Sequence, residues 1–252
     1  MMIVDLHNHT HYCDGKNSPE EMVLSAIDKG IEVFGLVVHG YTDFDGTFCA
    51  PKENVVPFQV EMNRLKQKYK DKITLYHGVE QDYFGGKPLD GFDYVIGSLH
   101  YAKKDGKYYP LDHSPEQFRE MIEAYGGDVY AAAEEYFDNI SNIVEKTGAH
   151  VVGHFDVFKK FNAHGEFFDE NHPRYVNAYN KAMEKLIKTG VIFEMNVGGI
   201  SRGWIEEPYP SVEKVKYLTD RGVKVIPSSD GHNVQNIAFQ YDKWLKVFEE
   251  IK

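Results

Sequence analysis

Seven short apolar runs recur along the chain, separated by stretches with helical periodicity. The runs cover residues 2–6, 34–38, 73–79, 94–99, 150–153, 191–196 and 223–229. They are rich in Val, Ile and aromatic residues and bounded by Gly, Asp or Pro, which marks them as strands. Ser18-Pro19 with Glu21, closed by Gly30, carries helix start and stop signals, and Ser114-Pro115 closed by Gly126-Gly127 repeats them. Residues 51–69, 129–147, 172–189, 211–221 and 236–251 carry further helical periodicity. Alternating strand and helix builds a parallel sheet with helices packed outside it. Seven such units without a dinucleotide-binding fingerprint predict a closed α/β barrel, a single domain over residues 1–252, with the functional face at the C-terminal ends of the strands. Residues 40–50 and 101–114 are expected to be long loops, the kind that bind ligands.

Composition narrows the partners. A formal net charge of -11 leaves no basic stripe for nucleic acid, although a locally positive site could still take a small acidic substrate. Cys13 and Cys49 are the only cysteines, too few for a disulfide framework, and no apolar run is long enough to span a membrane. A soluble, cytoplasmic protein is expected.

The twelve histidines are the unusual component. His7, His9 and Asp14 follow the first run, and His39 ends the second. Glu80, His100 and His154 follow the third, fourth and fifth, and Asp230 and His232 follow the last. In a parallel barrel these ends share one face, so residues far apart in sequence converge there. Imidazole and carboxylate are ligands for Zn, Mn and Fe. Residues two apart on extended chain point to the same side, which lets His7 and His9 chelate one ion. Each residue alone has an ordinary explanation as a capped or hydrogen-bonded side chain; the joint pattern at nearly every strand end is what points to metal. His11 is expected at the surface or behind the site. His77 and His150 are expected in the core or rim, with His113, His164 and His172 in loops.

"DLHNHTHYCDG", followed in order by "VVHG", "GVEQDY", "GSLH", "GHFD" and "SSDGH", resembles the motif series of the PHP (polymerase and histidinol phosphatase) superfamily. "LDHSPEQF", "NVGGISRG" and "EEPYPS" are similar to segments of its histidinol-phosphatase branch. The resemblance covers essentially the whole chain. It implies a distorted seven-stranded (β/α)7 TIM-like barrel with three metal ions (Zn, Mn or Fe). Carried over by position, His7, His9, Glu80 and Asp230 would hold one ion. Glu80 would bridge to a second, bound by His100 and His154, and Asp14, His39 and His232 would hold the third.

Two positions depart from the pattern. Val38 stands where an acidic residue usually precedes the second-motif histidine. Lys159-Lys160 replaces an arginine, and an ammonium offers phosphate only a point charge. Arg202 matches the other phosphate-binding arginine.

The activity the resemblance implies is hydrolysis of L-histidinol phosphate, a phosphomonoester, in histidine biosynthesis. A metal-bridging hydroxide would be the nucleophile, with Glu80 bridging and Asp230 or His232 moving the proton. Three divalent ions, three carboxylates and a hydroxide leave about +2 at the site, enough to hold a phosphate dianion in an acidic protein. Arg202, Lys160 and Tyr101 would contact substrate, with Phe155 and Glu194 as further pocket candidates. The competing enzyme is a PHP phosphodiesterase or nuclease, which the shortage of basic residues disfavours. A noncatalytic metal-binding module is disfavoured by the intact ligand set.

Overall fold

The computed structural model describes residues 2–251. Its strands, numbered along the chain, are β1 (Val4–Asp5), β2 (Val33–His39), β3 (Thr74–Asp82), β4 (Tyr94–Ser98), β5 (Tyr101–Lys104), β6 (Lys107–Pro110), β7 (Val151–Val152), β8 (Ile192–Asn196) and β9 (Val225–Ser228). The helices are α1 (Pro19–Asp28), α2 (Lys52–Lys68), α3 (Pro115–Ala124), α4 (Val129–Ile140), α5 (Ile143–Thr147), α6 (Pro173–Ile187), α7 (Gly198–Ser201), α8 (Val212–Thr219) and α9 (Tyr241–Glu250). All strands except β5 and β6 form one parallel sheet whose order follows the chain.

The sheet curls until its edges meet beyond β1 and β9. Asn8 bridges Gly231 in parallel, and the His9 amide donates to the Gly231 carbonyl at 2.8 Å. A side chain at Gly231 would bring its Cβ within 2.6 Å of Asn8 Oδ1, so the seam closes only around glycine. The result is a nearly closed, distorted seven-stranded barrel, the expected α/β fold.

Strand β2 shows why its apolar run does not alternate with polar residues. Phe34, Leu36 and Val38 face outward into a layer with Met22, Phe58, Met62 and Leu65 of α1 and α2. Val37 packs in a separate cluster with Tyr94, Ile96 and Val151. Both faces are buried, as in other parallel sheets covered by helices. A larger aromatic layer joins α3, α4, α6 and α9 through Phe118, Phe137, Tyr175, Trp244 and Phe248. Truncating a fully buried residue such as Phe58 to Ala should cost about 3–5 kcal/mol.

Three boundaries differ from expectation, each for a local reason. Helix 129–147 is broken between α4 and α5, where Ser141 Oγ and Asn142 Nδ2 both donate to the Asp138 carbonyl, at 2.6 and 2.8 Å. Side chains there compete with the helix for its own acceptors. The last helix starts at Tyr241 rather than 236, because Ala238 and Gln240 sit at φ 51° and 52°, outside the right-handed region. Residues 101–114 are largely a hairpin: β5 and β6 turn at Asp105-Gly106, with φ 50° and 80°. An Asp-Gly turn between two short extended stretches is a hairpin signal that the loop assignment overlooked.

Candidate metal centre

Strand periodicity aims the chemistry. On β3, Gly78, Glu80 and Asp82 are two apart and share one side of the strand. β2 ends at His39 beside Glu80, its registered partner. His7 and His9 follow β1, His100 follows β4, His154 follows β7, and Asp230 and His232 follow β9. All nine expected ligands come together at this end of the barrel. His7, His9, His39, Glu80, His100, His154 and Asp230 are buried there, with Asp14 and His232 more open.

Glu80 is the hub. Its Oε2 lies 3.1 Å from His7 Nε2, 3.3 Å from His9 Nε2 and 3.1 Å from His39 Nδ1. Its Oε1 lies 2.9 Å from His154 Nε2 and 3.2 Å from His100 Nε2. One carboxylate thus faces five imidazoles, and no protein core gathers such a set for packing alone.

The spacing suits metal. Two nitrogens on one tetrahedral ion, each at roughly 2.0–2.1 Å, stand about 3.3 Å apart. His7 Nε2 and His9 Nε2 are 3.2 Å apart. Among the described residues, three donor groups are compact enough to share an ion: His7, His9 and Asp230; His39, Glu80 and His100; and His9, Asp14, His39 and His232. Against the expected division, His9 and His39 each serve two groups, Glu80 falls in one group rather than two, and His154 reaches the cluster through Glu80 Oε1 at 2.9 Å.

Glu80 and Asp230 are both biased toward the ionised form that a metal ligand needs. Burial would raise the Glu80 pKa, but the imidazoles of His7, His39 and His100 outweigh it and hold the carboxyl well below its usual range. Asp230 is likewise depressed against burial, by Arg202 first and then His7, His232 and His9.

Behind the ligands lies a set of carboxylates. Glu194 Oε2 accepts from His7 Nδ1 at 3.0 Å, and Oε1 accepts from the His154 amide at 2.6 Å. Asn196 and Ser228 fill its remaining acceptor positions. Asp82 accepts from the His100 amide at 2.8 Å, and its Oδ2 lies 3.3 Å from His100 Nδ1. An Nδ1–H held by a carboxylate leaves Nε2 with its lone pair aimed inward, which is how metal-binding histidines are oriented.

Glu194 therefore lies beneath the ligands rather than in the substrate pocket, and Asp82 went unassigned from sequence. The available signals were a charged residue inside an apolar strand run, and an acid two positions beyond Glu80. Phe155 is also misplaced by the sequence reading: it is fully buried against Phe137, Tyr179 and Phe193, away from the cleft.

Comparison with known proteins follows the same geometry. The PHP domain family matches residues 5–198. The chain belongs to the PHP domain family. A histidinol-phosphatase of Bacillus subtilis is 23% identical over 96% of this chain and 98% of its own length. The crystal structure of a Listeria monocytogenes protein superposes with a TM-score of 0.84, at 23% identity, over 96% of this chain and 99% of that one. A Lactococcus lactis histidinol phosphate phosphatase, solved with zinc, L-histidinol and phosphate, superposes with a TM-score of 0.67, at 18% identity, over 99% of this chain and 94% of that one.

In this PHP chain Arg202, Asp230 and His232 lie beyond the matched residues, yet the fold returns them to the centre. Asp230 adopts φ 49°, and the Arg202 fork grips it, Nη2 to Oδ1 at 3.1 Å and Nη1 to Oδ2 at 3.3 Å. Arg202 Nη2 also donates to His232 Nδ1 at 2.8 Å. Gly198 makes room for this pairing, since a Cβ there would stand 2.7 Å from both Arg202 Nη1 and Asp230 Oδ2.

A cleft of about 510 Å³ opens over the ligands. Lys160 faces it, while Lys159 turns away to Asp156 at 2.8 Å, so only one of the two lysines is placed to meet substrate. Tyr101 lines the cleft and donates to Asp45 at 2.9 Å, tying residues 40–50 to the hairpin. His113 lies at the cleft. His11 is exposed and stacks on Tyr12, and His77 is buried against Asp93. His150 and His172 serve backbone amides, from Val95 and at the start of α6.

Proposed function

We propose that this PHP chain is a metal-dependent phosphomonoesterase that hydrolyses L-histidinol phosphate to L-histidinol and phosphate, as a single cytoplasmic domain over residues 1–252. The observation that carries the reading is Glu80, one carboxylate facing five imidazoles in a small-molecule cleft. Full-length relatives named for this activity supply the substrate. Among the described residues no helix is long and apolar enough to cross a membrane.

Three ions (Zn, Mn or Fe) would be held by His7, His9, Glu80 and Asp230, by Glu80, His100 and His154, and by Asp14, His39 and His232. When bound, they would supply a water ionised near neutral pH and positive charge for the phosphoryl oxygens. Arg202 and Lys160 anchor the phosphate from the side. The leaving group is a primary alkoxide, which needs a proton. Asp230 is the assigned carrier, kept ionised beforehand by Arg202, and His232 is its neighbour and rival. Glu194 and Asp82 keep the histidine rings turned inward throughout.

The test is phosphate release by metal-reconstituted protein from L-histidinol phosphate, an aryl phosphate and a dinucleotide. A kcat/KM for histidinol phosphate orders of magnitude above the others is expected. Equal slow turnover of all three would overturn the substrate assignment.

A further inference from the structure

Two hydrogen-bond acceptors in the cleft receive no hydrogen bond from the described residues. Gln117 Oε1, on the first turn of α3, is buried without a partner. Asp112, five residues earlier, uses Oδ2 on Lys160 at 3.3 Å, while its Oδ1 receives no hydrogen bond from the described residues. Asp45, the other cleft carboxylate outside the ligand set, is already engaged. Its Oδ1 takes the Thr47 amide and hydroxyl at 2.9 and 2.7 Å, and its Oδ2 takes Tyr101. A buried acceptor left unpaired, as Gln117 Oε1 is, costs free energy, while Asp112 Oδ1 belongs to a side chain 25% exposed and is open to a donor entering from the cleft.

A phosphate carries only acceptors at its ionised oxygens, so Asp112 Oδ1 and Gln117 Oε1 have no hydrogen bond to make with it, whereas Lys160 beside them does. The two acceptors instead suit the opposite end of a substrate that bears N–H groups. Phe48, Tyr101 and Trp204 supply aromatic surface in the same cleft. We propose that Asp112 and Gln117 are specificity-determining residues: they accept hydrogen bonds from a protonated amine or azole N–H on the alcohol portion of the phosphomonoester. The inference deepens the proposed function and rests on it. It gives the cleft two poles, a cationic one at Arg202 and the ligands for phosphate, and an accepting one on the "LDHSPEQ" segment for a cationic alcohol.

The experiment measures kcat/KM for L-histidinol phosphate and for p-nitrophenyl phosphate, which has no N–H, on metal-loaded wild type, Asp112→Asn and Gln117→Leu. Asp112→Asn keeps the backbone carbonyl that also holds Lys160. The readout is the ratio between the two substrates, with metal content and melting temperature checked for each protein. The ratio should fall on the order of 10- to 100-fold in Asp112→Asn, and less in Gln117→Leu, with the change mainly in KM. An unchanged ratio, or equal loss on both substrates, overturns the inference while leaving the phosphatase reading intact. A wild type with no preference for histidinol phosphate overturns that reading as well, and it is seen before any variant is made.

Discussion

Glu194 Oε2 stands 3.0 Å behind His7 Nδ1, and the same carboxylate receives the His154 amide at 2.6 Å. One buried acid thus sets the ring of one proposed ligand and the backbone of another, 147 positions apart (154 minus 7). Its own pKa is lowered against the burial that would raise it, mainly by His7.

Glu194→Gln should therefore weaken metal without touching any ion. A neutral amide is a poorer acceptor and can present its NH2 to His7, favouring the wrong tautomer. Metal affinity should drop about 10- to 100-fold, with the fold retained. Competition with a fluorescent chelator measures the affinity and circular dichroism the fold. Wild-type affinity in the variant would remove Glu194 from this role.

Asp230→Asn tests the proton carrier. Three other donors, His7, His9 and Glu80, remain around its proposed ion position, so metal content should stay near wild type. The turnover number should fall by roughly 10²–10⁴ if the carboxylate carries the proton. Single-turnover kinetics on a protein of verified metal content separates the two effects. Full activity in that protein would transfer the role to His232.

Metal stoichiometry tests the shared hub. Three ions per chain are expected by elemental analysis, and Glu80→Ala should lose more than one of them, because Glu80 faces both halves of the cluster. Loading should also release protons, since ligands bind deprotonated, and calorimetry in two buffers of different ionisation enthalpy detects this. Loss of a single ion in Glu80→Ala would contradict a bridging carboxylate.

Acid sensitivity is predicted at a site far from the metals. On α1, Glu20 meets Lys68, the Tyr69 hydroxyl at 2.6 Å and Arg64 at 2.7 Å. These three, Lys68 foremost, bring its pKa from 4.5 to about 2. A carboxylate depressed in the folded state stabilises fully above its unfolded pKa, and that contribution is lost as pH falls from 4.5 toward 2. Much of this is screened because the network is exposed. The melting-temperature gap between wild type and Glu20→Gln should still shrink across that window. A gap equal at pH 5 and pH 2.5 would show that the network adds nothing.

The sequence by itself determined the seven strands, their parallel order and the nine residues at their ends. Those signals are local: strand composition, period-two spacing in His7 and His9, and the caps at Ser18 and Ser114. A parallel barrel converts position at a strand end into position in the site, so even the distant Asp230 and His232 were legible. What only the tertiary structure decided is which atoms face each other. Glu194 lies in an apolar run, and nothing local says that its side chain will meet His7 and His154 across the barrel. Phe155 follows His154 directly, yet one step along the chain turns it from the site into the aromatic layer. Lys159 and Lys160 are equivalent on paper; helical geometry sends one to Asp156 and the other to the cleft. Asp112 and Gln117 become conspicuous only in the fold, because an unpaired acceptor is a property of a folded environment and has no signature in the order of residues.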